Sequence, residues 1–514
     1  MLQPSPQSSH YVTDWLERRA ALTPNRIALQ DTLIGRDLTY SAWNAVTNQT
    51  AHFLSDLGVR KGDRVAVYAT NRTEYLEVWH ACGKLGAILQ NVNWRLALPE
   101  VDHLLKDASP TVILYSGEFA AQIETLRPTL TTVREYVAFD PPYHRTLPFE
   151  KRLSFPTTAP DRPSLTLDDT WVICYTGGTT GLPKGALLTH GNMTWNSVNT
   201  VTSWGLDAND VGIISTPLFH TGALNVFTLP LIHVGGKSIL CQRFDSNQIF
   251  DLIETGGVTV FFGVPTMFLA LQQHPRWESA DFSRLKIVIS GGAPCPMPIF
   301  ERFWAKGVDF KTGYGLTEAG PNTFWLPPED VRRKPGAVGR PLIHVDVRVV
   351  RSDGSDCAAD EPGELIIRGA HVTPGYWNNP TATAEAIREG WLHTGDLAKC
   401  DSEGYYTIVG RLKEMIISGG ENIYPAEVES VLFAHPAIAA AALIGIPDPT
   451  WGEVGRAIVV LEVGRTLTVD ELVQFLRERL AGYKVPKSIR FVNELPQTGA
   501  GKVDKQLLAH LYGG

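Results

Sequence analysis

Residues Tyr175-Thr-Gly-Gly-Thr-Thr-Gly-Leu-Pro-Lys-Gly185 place four glycines, three threonines and one lysine within eleven positions. Glycine permits positive φ and lets successive N–H groups turn toward one anion. The threonine hydroxyls add donors and Lys184 adds a positive charge. That combination suits a polyphosphate. A Walker loop is excluded here, because this loop contains no Gly-Lys-Ser/Thr and no helix follows at once. Gly185–Leu188 reads instead as a second strand after Trp171–Tyr175, so the segment predicts strand–loop–strand. A glycine-rich hairpin with no ligand is the plainer alternative.

A chain of 514 residues exceeds one ordinary core, so two or more folding units are expected. Up to about residue 290, short apolar strands alternate with helical patterns. Strands are predicted at Arg64–Ala69, Thr111–Tyr115, Val211–Ile214, Lys237–Leu240, Val258–Phe262 and Lys286–Ile289, with helices over Glu74–Leu89 and Pro99–Lys106. Such alternation predicts buried, largely parallel sheets. The Pro-rich stretch Asp140–Asp168 reads as a surface excursion. After about Gly339 strands are broken by turn clusters at Ser352–Ser355 and Glu361–Gly363, which predicts a β-rich subdomain. The last hundred residues form a separate pattern: a helix at Pro425–Phe433, strands at Ala439–Ile446 and Arg456–Glu462, and a helix opened by a Thr468–Glu471 capping box. The expected fold class is α/β. It comprises a large N-terminal domain of layered αβ subdomains plus a β-rich subdomain, and a small mobile α+β C-terminal domain.

Charge and cysteine content narrow the function. A net charge of −8 argues against nucleic-acid binding, which wants a basic face. The six cysteines show no metal spacing, which fits free thiols in a reducing cytoplasm. The start of the chain lacks a signal-peptide layout. No apolar run approaches the ~20 residues of a transmembrane helix.

The loop resembles the signature of the adenylate-forming superfamily, which includes acyl-CoA synthetases, luciferases and peptide-synthetase adenylation domains. Its usual serine is replaced by Gly177, a variant also common among fatty acyl-CoA ligases. Further motifs follow in the family's order. The resemblance implies that Thr176, Gly177, Gly178, Thr179, Thr180, Gly181 and Lys184 hold the phosphates of ATP. Gly291, Gly292, Ala293 and Pro294 resemble the adenine-contacting turn. Thr312-Gly313-Tyr314-Gly315-Leu316-Thr317-Glu318 would cover adenine with Tyr314, and Glu318 with Thr176 would hold Mg²⁺ through oxygen ligands. Asp396 would accept from both ribose hydroxyls, with Arg411 donating beside it. Lys502 matches the adenylation lysine, whose charge draws the carboxylate and the α-phosphate together.

The run Arg411–Asn422 resembles the inter-domain hinge and thiol tunnel of acyl-CoA synthetases. Lys413 would be the hinge, dividing a 1–411 AMP-binding domain from a 412–514 C-terminal domain. Ser418, Gly419 and Gly420 would flank the pantetheine of coenzyme A, with Trp451 and Lys484 in CoA-contacting neighbourhoods. Trp451 as a core residue and Lys484 as a solvated charge are the plainer alternatives. Phe219 and His220 stand where amino-acid-activating relatives carry an aspartate, which disfavours amino acids. His220 is read as a catalytic-site gate, or else as a satisfied core histidine. Phe219, His220, Leu224, Val264 and Met267 are expected to line an acyl pocket for a fatty, aromatic or terpenoid acid. The function implied is an ATP-, Mg²⁺- and CoA-dependent acyl-CoA ligase acting on a small-molecule carboxylic acid. A carrier-protein phosphopantetheine, luciferase-type oxidation and a degenerate nucleotide sensor are the competing readings. A homodimer is left open.

Overall fold

The computed structural model describes residues 12–176, 183–419, 421–498 and 502–513. Two seven-stranded sheets organise the larger part. The first runs, edge to edge, Phe310–Thr312, Ile287–Ser290, Val260–Gly263, Val211–Ile214, Lys237–Leu240, Ile27–Asp31, Arg36–Thr39. All neighbours are parallel except the last pair. The second runs Leu147–Pro148, Glu135–Ala138, Val112–Tyr115, Arg64–Tyr68, Ile88–Asn91, Thr170–Thr176, Lys184–Thr189, and again only the last pair is antiparallel. These strands are short, apolar runs because both faces are covered.

One core cluster contains Leu29, Ile214 and Leu240 of the first sheet, Val65, Val112 and Val172 of the second, and the helices Tyr40–Asp56 and Thr73–Leu85. Those helices are therefore packed between the sheets. In Thr73–Leu85 every residue but Glu74 is buried, as expected of a helix with no solvent face. Its two enclosed charges are paired: Arg152 Nε donates to Glu77 at 2.7 Å, and Lys84 Nζ to Asp14 at 2.7 Å and Asn44 at 2.8 Å.

The predicted helix Glu74–Leu89 needs correction. It ends at Leu85, where Gly86 turns left-handed with φ +66°, and Ile88–Asn91 continues as a strand. Gly86 supplies the αL cap that a side chain resists. The β-rich subdomain is a five-stranded antiparallel sheet of Asp346–Val350, Gly363–Arg368, Trp391–Cys400, Ile387–Arg388 and Tyr406–Arg411. Its Val349, Leu365, Ile367 and Leu392 share a core with Val260, Ile287 and Ile289 of the first sheet.

The C-terminal unit has its own sheet, built on the hairpin Ile438–Asp448/Gly452–Leu461. This hairpin is longer than the predicted strands, because Asp448 Oδ1 accepts from the N–H groups of Thr450 and Trp451 and closes a tight turn. The two clusters that fill this unit draw only on residues from Ile416 onward. The Thr468–Glu471 capping box is present. Among the described residues no helix is long and apolar enough to cross a membrane, and all six cysteines are free.

Candidate active site

Four neighbouring parallel strands of the first sheet end on one rim. Val211–Ile214 leads to Thr216–His220, Val260–Gly263 to Val264 and Met267, Ile287–Ser290 to Gly291–Pro294, and Phe310–Thr312 to Gly313–Leu316. The pairings Gly263↔Ser290 and Ser290↔Thr312 hold three of these ends level. Parallel pairing thus gathers motifs a hundred residues apart at the carboxyl ends of adjacent strands, where ligands bind in such sheets. Gly315 admits no side chain, since a Cβ there would lie 1.5 Å from the Pro321 carbonyl oxygen.

The β-rich subdomain adds Asp396 over this rim. Tyr314 Oη donates to Asp396 Oδ2 at 2.5 Å, and Arg411 Nε reaches Oδ1 at 2.6 Å. Asp396 and Arg411 are direct cross-strand partners, so the sheet register itself sets the pair. Burial pushes the Asp396 carboxyl above its ordinary value, against the pull of Arg411 and Tyr314. Burial, then Asp396, raises the Tyr314 phenol well above its own, keeping it a donor. Glu364, unforeseen in the sequence, braces the turn: its carboxylate receives Gly395 N–H at 3.2 Å and meets His393 Nδ1 at 2.8 Å.

Glu318 is buried beside the loop strand. Thr176 Oγ1 lies 3.4 Å from Glu318 Oε1, and Tyr376 Oη donates to the same oxygen at 2.9 Å. Lys184 Nζ sits 5.5 Å from the centre of the Tyr376 ring. Tyr376 was not foreseen. It is placed by backbone bonds from Leu187 N–H to Gly375 and from Trp377 N–H to Gly185, which add its segment beside Lys184–Thr189. Gly177, Gly178, Thr179, Thr180, Gly181 and Gly420 lie outside the described residues. Among the described residues no three His, Cys, Asp or Glu groups cluster around a metal position. The oxygens of Glu318 and Thr176 fit instead an ion such as Mg²⁺, which takes one or two protein oxygens and fills its remaining positions from phosphate and water.

Lys502 reaches this rim from the C-terminal unit. Burial and then Arg411 lower its ammonium below the ordinary lysine value, while Asp396, Glu414 and Glu318 favour its charge. By surface area Lys502 is nevertheless an exposed residue. His220 feels Lys502 too: burial, Lys502 and Arg95 depress its imidazole to about 4, so the ring is neutral at pH 7. It is half-buried and packs on Phe219 with ring centres 4.4 Å apart. Arg95 is a further unforeseen neighbour.

The residues expected to line an acyl pocket fall in different places. Leu224 is fully enclosed in the core between the two large sheets, on the π-helical turn Leu224–Thr228. Met267 packs into another core, with Phe261, Phe268 and Phe303, and Val264 lies against it near Gly292. A residue not foreseen, Phe262, borders the rim; like Tyr314 and Leu316 it packs against the core shared with the β-rich subdomain.

Ser418, Gly419 and Trp451 come together where the strand Ile416–Ser418 meets the turn of the long hairpin. Ser418 pairs with Gly452, and Gly419 N–H donates to the Trp451 carbonyl at 2.8 Å. Trp451 is 49% exposed, so it is not core. Lys484 is not simply solvated, since its Nζ pairs with Glu427 at 2.6 Å. Lys413 lies in the single turn Leu412–Glu414 between the β-rich sheet and this unit.

Two family profiles match the chain: "AMP-binding enzyme" over residues 16–377 and "AMP-binding enzyme C-terminal domain" over 427–502. A feruloyl-CoA synthase of Amycolatopsis sp is 43% identical, covering 97% of this chain and 98% of its own. An indoleacetate–CoA ligase of Aromatoleum aromaticum is 40% identical, covering 96% of each. The o-succinylbenzoate CoA synthetase (MenE) of Bacillus subtilis, solved with its acyl-adenylate intermediate, superposes with a TM-score of 0.85 at 32% identity, covering 96% and 97% of the two chains.

Proposed function

Because the chain belongs to the AMP-binding enzyme family and is an AMP-forming acid–thiol ligase of its acyl-CoA ligases, we propose that it activates a hydrophobic carboxylic acid as acyl-AMP before forming the CoA thioester. In the first half-reaction a carboxylate oxygen attacks the α-phosphorus of ATP and pyrophosphate leaves. In the second, the CoA thiolate attacks the acyl carbonyl and AMP leaves. The observation that carries this reading is the rim on which Asp396 is held by Tyr314 and Arg411 while Glu318 faces Thr176 of the loop strand.

The residues divide the work by charge. Asp396, held by Tyr314 and Arg411, offers two oxygens to a ribose diol. Lys502 supplies a positive charge where two anions must approach, and the same charge stabilises the crowded α-phosphate as the bond forms. Mg²⁺, when bound, would offset phosphate charge, and Glu318 with Thr176 would hold it. Neutral His220 and the Phe219 ring offer no partner to a substrate ammonium, which supports an acid without an α-amino group. The relatives that act on feruloyl and indoleacetate groups support an aryl-bearing acid.

The domain boundary is taken at residues 411 and 412, with Lys413 as the hinge. Rotation there would exchange Lys502 for the Ser418–Gly419–Trp451 edge, which would pass the pantetheine arm. The test is ATP–pyrophosphate exchange over a panel of acids, followed by thioester formation with free CoA and with a holo-carrier protein. Exchange and CoA ester are expected. Absence of exchange with every acid, or loading of the carrier alone, would overturn the reading.

A further inference from the structure

We propose that Phe262 sets the depth of the acyl pocket, admitting compact planar acids and turning away extended chains; the proposal rests on the ligase reading above. Side chains alternate along Val260–Gly263, so Phe262 faces the side of Val260 and Tyr314, while Phe261 packs into the opposite core. Its strand lies between Val211–Ile214 and Ile287–Ser290 in the sheet. The segments that leave those two neighbours each place a glycine against the ring. A Cβ at Gly222 would lie 2.9 Å from Phe262 Cε1, and a Cβ at Gly291 would lie 2.9 Å from Cε2.

The ring therefore spans the gap between its two neighbours, and both have given up their side chains to it. Phe262 is only partly buried, so the ring keeps an open face. Gly222 lies two residues beyond His220, which feels the charge of Lys502, and Gly291 opens the turn Gly291–Pro294. An acid whose carboxylate stands beside Lys502 and His220 thus runs toward this ring. Bare glycine backbone on either side leaves flat walls, which suit a planar arene or alkene better than a coiled alkyl chain. On this proposal the ring, wedged between the two glycines, closes the way to a long chain.

The test compares kcat/KM for cinnamic acid with that for dodecanoic acid, in the wild-type enzyme and in Phe262→Ala and Phe262→Leu, with pyrophosphate release as the readout. The wild type is expected to favour cinnamic acid. Phe262→Ala should move the ratio toward dodecanoic acid by about tenfold or more, and Phe262→Leu in the same direction by less. A general loss of folding lowers both rates together and leaves the ratio unmoved, so the ratio reports depth. An unchanged ratio in both variants, or a wild type that already prefers dodecanoic acid, overturns the proposal while the ligase reading stands. A wild type that releases pyrophosphate with no acid overturns the ligase reading itself.

Discussion

Lys311 gives the sharpest physical prediction. It sits one residue before the Thr312–Glu318 motif and is 2% exposed. Its Nζ donates to the Leu326 carbonyl at 2.6 Å and lies 3.7 Å from the centre of the Trp325 ring. Burial depresses its pKa from 10.5 to about 7, with Asp309 and Glu329 opposing the fall. A lysine depressed on folding makes the unfolded chain bind more protons between pH 7 and 10.5. Stability must therefore rise with pH across that window, by about 1.4 kcal/mol per unit. From pH 7, where the folded group is half titrated, to pH 9 the gain is about 2.3 kcal/mol at most, since the carbonyl and the ring also stabilise the charged form.

Lys311→Met removes the titration and keeps the side chain's length and apolar stem. It also strips the Leu326 carbonyl of its donor, at a cost of about 1–3 kcal/mol that does not depend on pH. The difference between the two proteins should therefore change with pH, whatever its value at pH 7. Urea unfolding at pH 7, 8 and 9, followed by tryptophan fluorescence, measures this. All but Trp451 of the 13 tryptophans precede residue 412, so the signal reports on the larger domain. Parallel stability–pH curves for the wild type and Lys311→Met would refute the reasoning.

Three further outcomes are expected. Lys502→Ala should cut acyl-AMP formation by about 10²–10³-fold while sparing thioester formation from supplied acyl-AMP, and equal loss of both half-reactions would contradict its role. Asp396→Asn should raise the KM for ATP about ten- to a hundredfold, because the carboxylate's charged hydrogen bonds are lost; titration of initial rates against ATP measures it. Gly419→Ala should slow CoA ester formation but leave pyrophosphate exchange intact. Its φ is +61°, and a Cβ there would lie 2.6 Å from the Trp451 ring, so the strain of about 1–2 kcal/mol falls on the CoA edge.

What the sequence revealed was local chemistry. The glycine and threonine run at Tyr175–Gly185, the strand-ending turns and the Thr468–Glu471 box all depend on neighbours a few residues apart. The helix drawn through to Leu89 failed because Leu85, Ala87, Ile88 and Leu89 continue the apolar run, and only the left-handed turn at Gly86 divides it. Tyr376 and Glu364 stayed hidden for another reason. Tyr376 meets Glu318 across 58 residues, and Glu364 meets Gly395 across 31, through pairings that no short window contains. The enclosure of Leu224 stayed hidden because an apolar side chain reads the same in a core as on a pocket wall. Phe262 closed a predicted strand, and its meaning emerged only from the two glycines in the segments that follow the adjoining strands.

The ion pairs of the C-terminal unit bear on how one hinge can serve two half-reactions. Lys505 Nζ lies 2.8 Å from Glu414 and 2.9 Å from Glu429. Glu414 belongs to the turn that holds Lys413, Glu429 to the helix Pro425–Phe433, and Lys505 opens the helix that follows Lys502. One ammonium thus joins the hinge turn, the first helix of the unit and the segment that carries the adenylation lysine. The helix Lys505–Tyr512 is joined in turn to the long hairpin, where Leu508 packs with Ile444 and Val454. Trp451 sits in the turn of that same hairpin. If Lys413 is the hinge, as proposed, a rotation there would carry Lys502 and Trp451 together. Withdrawing the lysine and presenting the proposed CoA-contacting residues would then be a single displacement.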